Sequence, residues 1–93
     1  MENEITEEKL EKYFGLTSKA LGIVKENVIK GKESEAKEII EMVSNYLSDA
    51  RHFFDKGKWV EAFGALNYAH GWIDSGVRLG VFEVDDDRLF TVK

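Results

Sequence analysis

The sequence predicts an all-α fold: an up-down-up antiparallel three-helix bundle with a short C-terminal tail that is extended or β-hairpin-like. Three observations predict it. In three successive segments, apolar residues recur at alternating steps of four and three, the spacing that gathers side chains on one face of a helix. Two short polar breaks, KGKES and DKGK, each built around a glycine, separate those segments. After Gly80 the period changes to short β-prone runs on either side of Asp85-Asp86-Asp87.

The first helix is expected over about residues 5–30. Thr6 is its N-cap, and Glu7 and Glu8 carry the charge a helix N-terminus favours. Its stripe is Leu10, Phe14, Thr17, Leu21, Val24 and Val28, widened by Tyr13, Leu16, Ala20 and Ile23, so it touches two neighbours. Gly31 is expected to end it and Ser34 to cap the next. The second helix, about 34–56, repeats the pattern with Ala36, Ile40, Val43, Leu47, Ala50 and Phe54, broadened by Ile39, Tyr46 and Phe53. The third, about 58–79, has Ala62, Leu66, Ala69, Ile73 and Val77 in phase and stops at Gly80.

Helices of that size are roughly 30–38 Å long at 1.5 Å per residue. Short loops make sequential helices antiparallel neighbours, and the 3-4 spacing favours shallow crossings. Residues 1–80 are therefore expected to form the bundle and 81–93 the tail. An isolated two-stranded hairpin is marginal in water, so Phe82, Leu89 and Phe90 are the residues expected to rest on the bundle.

Composition narrows the function classes. Ninety-three residues make one domain with a single modest core. A net charge of -5 argues against a nucleic-acid binder, since that affinity comes mostly from Lys and Arg neutralising phosphates. Lys30 and Lys32 fall at one turn and Lys56 and Lys58 at the other, at opposite ends of the bundle, and no nucleic-acid-binding motif is present. The absence of cysteine excludes disulfides, Cys-ligated zinc and thiol chemistry. The acidic start, MENEITEEKLEKYF, has no apolar signal core, and no run approaches the roughly 18–20 apolar residues that span a bilayer. A cytoplasmic protein without membrane contact is the expectation. The lack of Pro and Gln beside abundant Lys and Glu is thermophile-like.

The stretch YLSDARHFFDKGKWVEAFGALNYAHGWIDSGVRLG, followed by LFTV, resembles the short archaeal family called domain of unknown function 357. The resemblance extends along the chain and is densest over residues 46–80, in Tyr-x-x-Asp-Ala, Phe-x-x-x-Gly and Leu-x-Tyr-Ala-x-Gly-x-x-Asp. It implies a small helical bundle and an archaeal source. It implies no activity, substrate or catalytic residue.

Two features of the third helix are candidates for function. His70, Asp74 and Arg78 stand at four-residue steps, so Asp74 lies one turn from both an imidazole and a guanidinium. That set offers a general acid/base and an anion-binding Arg; the competing account is a structural polar row at the core boundary, with Asp74 also able to meet Arg51. The other feature is glycine. A mid-helix glycine costs about 0.5–1 kcal/mol relative to alanine. Gly76 falls on the core face, whereas Gly64, Gly71 and Ser75 line the opposite face beside Tyr68, and Gly15 and Gly22 lie off the first helix's stripe. Two accounts compete for the outward glycines: docking, either by the tail (Phe82, Leu89, Phe90) or by a second polypeptide, and drift tolerated because packing elsewhere supplies ample stability. Trp59 and Trp72 are expected in or beside the core. The run of Asp85, Asp86 and Asp87 with Glu83 lacks the spacing of a calcium loop, so no metal and no cofactor is assigned.

The leading expectation is a non-enzymatic helical protein-interaction module, with self-association through the small-residue face of the third helix as one form of it. The alternative is a small ligand-binding or enzymatic domain using His70, Asp74 and Arg78 with Tyr46 or Tyr68. A concave pocket around those three side chains favours the alternative; a flat or filled surface favours the module. A nucleic-acid-associated protein ranks last.

Overall fold

The computed structural model describes residues 4–85 and Phe90, and among them forms α1 (Glu7–Lys25), α2 (Glu33–Asp55) and α3 (Trp59–Arg78), with no strand. The three helices make the expected antiparallel bundle. α2 and α3 are its most closely packed pair, and α1 lies more on α3 than on α2.

Capping chemistry accounts for most of the helix ends. Thr6 has extended dihedrals (φ -108, ψ 160), and its hydroxyl accepts from the Lys9 amide at 3.1 Å, satisfying one orphan N–H of the first turn. At the end of α2, Gly57 takes φ 73; its amide donates to Phe54 O at 3.0 Å, and Lys58 N donates to Phe53 O at 2.9 Å. At the end of α3, Gly80 takes φ 78, its amide donates to Val77 O at 3.2 Å, and Val81 N donates to Gly76 O at 2.8 Å. Both are Schellman closures, which need a left-handed residue and so select glycine.

The first connection departs from expectation. α1 stops at Lys25 rather than near residue 30, because the chain from Asn27 to Ile29 is taken by the tail. Val28 and Phe82 form an antiparallel bridge, with Ile29 N donating to Val81 O and Glu83 N to Asn27 O, each at 2.9 Å. The β-prone residues Val81 to Glu83 thus pair with the α1–α2 connection. Of the other half of the expected hairpin, Phe90 is described, and Leu89, Thr91 and Val92 lie outside the described residues. Asn27 Nδ2 donates to Ile23 O at 2.7 Å, closing the shortened helix. Ser34 is not the cap of α2. The helix starts at Glu33 after Lys32, which makes no side-chain cap, and the Glu33 carboxylate accepts from Gly31 N at 3.0 and 3.2 Å.

The interior divides into two apolar clusters. One holds Leu10, Phe14, Ala50, Ala62, Ala65 and Leu66 towards the α2–α3 turn. The other holds Ala20, Leu21, Val24, Ile39, Val43, Ala69, Ile73 and Val77, and into it fold Val81, Phe82 and Phe90 from the tail. Thr17, the buried polar residue of the core, falls in sequence between Phe14 of one cluster and Ala20 of the other. His70 follows Ala69 of the second cluster and lies within reach of Thr17. Half-buried Leu47 packs against both clusters.

Candidate functional site

Between Glu61 and Arg78, α3 carries Asp74 as its sole acid and no Lys or Arg, a low charge density that neither α1 nor α2 shows. Its inner face, Ala62, Ala65, Leu66, Ala69, Ile73, Gly76 and Val77, is buried. The outward face runs through Gly64, Tyr68, Gly71 and Ser75. Built Cβ atoms at Gly64 and Gly71 meet nothing within 4 Å, so no contact among the described residues demands glycine there. Tyr68 is 65% exposed, and one side of its ring stacks on Tyr46 of α2 at 5.4 Å and 17°. Tyr68 and Trp72 flank a shallow hollow of about 320 Å³ floored by Gly71 and Ser75.

The two tail phenylalanines among the described residues do not cover this strip. Phe82 is 2% and Phe90 4% exposed, both inside the core cluster at the far end of the bundle. Phe82 packs instead on Gly76, where a Cβ would meet its ring at 2.5 and 2.8 Å and the tip of Ile39 at 3.1 Å. Of the residues expected to form an interaction surface, Gly64, Tyr68, Gly71 and Ser75 lie together on the outward face, whereas Phe82 and Phe90 are interior.

The polar flank faces α1. His70 Nδ1 lies 3.4 Å from the buried Thr17 hydroxyl, and His70 Nε2 lies 3.8 Å from Asp74 Oδ1; the two side chains are 31% and 26% exposed. His70 and Asp74 border a second hollow, about 420 Å³, between α1 and α3. Tyr13, Leu16, Thr17 and Leu66 supply its α1 side and floor, and Asn67 and Gly71 its outer edge. Arg78 is exposed and outside that lining. The expected three-residue set is therefore a two-residue set with Thr17, which the sequence presents only as a member of an apolar stripe. Arg51, offered by the sequence to Asp74, is engaged elsewhere: its guanidinium lies 3.5 Å from Glu11 and over the Phe14 ring at 4.1 Å.

Among the described residues, no group of three His, Asp or Glu side chains is placed to hold a metal ion, and no helix is long and apolar enough to cross a membrane. Of the acidic turn, Asp86 and Asp87 lie outside the described residues. His52 is exposed, and Trp59 and Trp72 are half-buried at the edges of the two clusters.

A protein-family model described as "Protein of unknown function (DUF357)" matches residues 12–82, from within α1 to the bridge at Phe82. Comparison with curated proteins and with solved structures returns no match.

Proposed function

For a chain that belongs to the DUF357 family, we propose a cytoplasmic, non-enzymatic helical interaction module that docks a second copy of itself along the outward face of α3. The observation that carries this reading is self-complementarity. A projecting ring, Tyr68, and a hollow over Gly71 lie one turn apart on the same face. A twofold contact requires one patch to fit itself. Antiparallel pairing of two α3 helices sets each Tyr68 over the partner's Gly71 and each Gly64 beside the partner's Ser75. The face between Gly64 and Ser75 carries no formal charge, so little is lost in drying it.

The size of the face sets the strength. Gly64 to Ser75 spans roughly 17 Å of helix at 1.5 Å per residue, a contact at the small end for a specific interface, so the dimer is weak. The test is absolute mass by light scattering from about 10 μM to about 1 mM, the range in which an affinity of that order is visible. The expected result is a rise from 10.6 kDa towards twice that mass, abolished by Gly71→Arg with helicity retained. A mass that stays at 10.6 kDa throughout, or a Gly71→Arg protein that associates like the parent, refutes the reading.

A further inference from the structure

The docking strip extends beyond its small residues, and charge marks its two ends. The large apolar side chains left exposed among the described residues are Val60, Tyr68 and Leu79, and all three belong to α3 or its C-cap. At about 100° per residue they share the outward face with Gly64, Gly71 and Ser75. That face is symmetric about its own centre, the midpoint between Ala69 and His70. Gly64 and Ser75 lie about 10° to either side of its midline, Gly71 and Tyr68 about 30°, and Val60 and Leu79 about 50°. The two members of each pair are also equally far from the centre along the helix axis. Glu61 and Arg78 complete the series, each about 50° off the midline and about 13 Å of helix rise from the centre, at opposite ends. Both are exposed, and neither forms an ion pair among the described residues.

We infer that the second copy docks in one antiparallel register, centred between Ala69 and His70, in which Glu61 of each chain meets the partner's Arg78. This register rests on the self-association proposed above and fixes its direction. Val60 comes level with the partner's Leu79, so the contact covers the exposed apolar side chains at both ends of the strip. Two ion pairs close it, one at each end. At the roughly 8–10 Å between packed helix axes, Glu and Arg side chains at one level can span the gap. A parallel twofold pairing instead sets Glu61 on the partner's Glu61 and Arg78 on the partner's Arg78. Like charges then meet at both ends, so charge complementarity selects the antiparallel arrangement. A slip of one turn parts both ion pairs by about 6 Å and leaves either Val60 or Leu79 beyond the contact.

The test is charge reversal in the full chain, followed by sedimentation equilibrium over the concentrations at which the parent associates. Glu61→Arg alone and Arg78→Glu alone each set like charges together at both ends, and each is expected to weaken association about tenfold. The chain carrying both reversals is expected to regain the parent's affinity. An equimolar mixture of the two singly reversed chains is expected to associate more tightly than either chain alone, because both ends are then complementary. Glu61 and Arg78 also stand in the first and last turns of α3, where each suits the helix dipole. The double reversal is the worst chain for that role, so recovered association separates the interface from the helix. Three results overturn the register while leaving self-association intact: singly reversed chains that associate like the parent, a mixture no tighter than its components, or a doubly reversed chain that keeps its helicity without regaining association. A parent that stays monomeric throughout overturns both. The mixture decides the question even if the double reversal lowers stability.

Discussion

Alanine at Gly76 and alanine at Gly71 are the same chemical change in the same helix, and the structure gives them opposite signs. In isolation each replaces glycine by the best helix former and gains about 0.5–1 kcal/mol. At Gly71 nothing opposes the gain, because a Cβ there meets no atom within 4 Å. At Gly76 the Cβ lands 2.5 Å from one atom of the Phe82 ring, 2.8 Å from the next and 3.1 Å from Ile39. The ring cannot easily withdraw. It is 2% exposed, and its backbone is tied on both sides by the Ile29–Val81 and Glu83–Asn27 hydrogen bonds. Overpacking of that kind costs about 1–3 kcal/mol, so Gly76→Ala is expected to lose about 1–2 kcal/mol net after the helix gain is subtracted. For a domain of this size that lowers the melting temperature by roughly 4–16 °C. Urea denaturation with linear extrapolation is the assay, because a shifted midpoint at constant slope isolates stability from changes in the unfolded state. Adding Phe82→Leu to Gly76→Ala is expected to cost less than the two single changes summed, since both act on one contact. A Gly76→Ala protein as stable as the parent, or more stable, refutes the claim that this glycine exists to admit Phe82.

Other outcomes follow from the same contacts. Gly15→Ala, Gly22→Ala, Gly64→Ala and Gly71→Ala are each expected to raise stability by about 0.5–1 kcal/mol by chemical denaturation at low protein concentration, where self-association plays no part. Deleting the chain after Gly80 removes Val81, Phe82 and Phe90 from the core. Since Phe82→Ala alone is expected to cost about 3–5 kcal/mol, the truncated chain should lose its cooperative melt by circular dichroism. Thr6→Ala removes the hydroxyl that caps α1 and is expected to cost about 0.5–2 kcal/mol, read as earlier fraying of the first turn in amide exchange.

The fold was legible because each of its devices is local in sequence. The 3-4 apolar spacing, Thr6 ahead of two glutamates, and a glycine at each Schellman closure act within one or two turns, so residue order suffices to place them. The α1–α2 connection was not legible, for a physical reason. The run from Val24 to Val28 continues a helical stripe, and only a competitor more than fifty residues away in sequence stops it. Phe82 gains a backbone bridge and a buried ring site on Gly76 together, and a helix ending at Lys25 forgoes only a few residues of propensity to allow it. Ser34 misled because the helix starts one residue earlier, at Glu33, whose carboxylate accepts from the Gly31 amide in the preceding turn and leaves the first turn without a side-chain cap.

The polar flank shows how far residue spacing alone can carry a site. Steps of four overshoot a 3.6-residue turn by about 40° each, so a row of His70, Asp74 and Arg78 winds away from whatever its first member faces. His70 faces the Thr17 hydroxyl across the α1 contact, Asp74 stands about 40° further out at the mouth of the hollow, and Arg78, about 80° out, is in solvent. That rotation was available in the sequence and already divides the three residues. The partner across the gap was not, because Thr17 becomes chemically distinct only once α1 and α3 are in register. Leu47 packs against both apolar clusters, so the Thr17–His70 contact is not what holds the two halves together; Thr17, His70 and Asp74 instead line the hollow between α1 and α3.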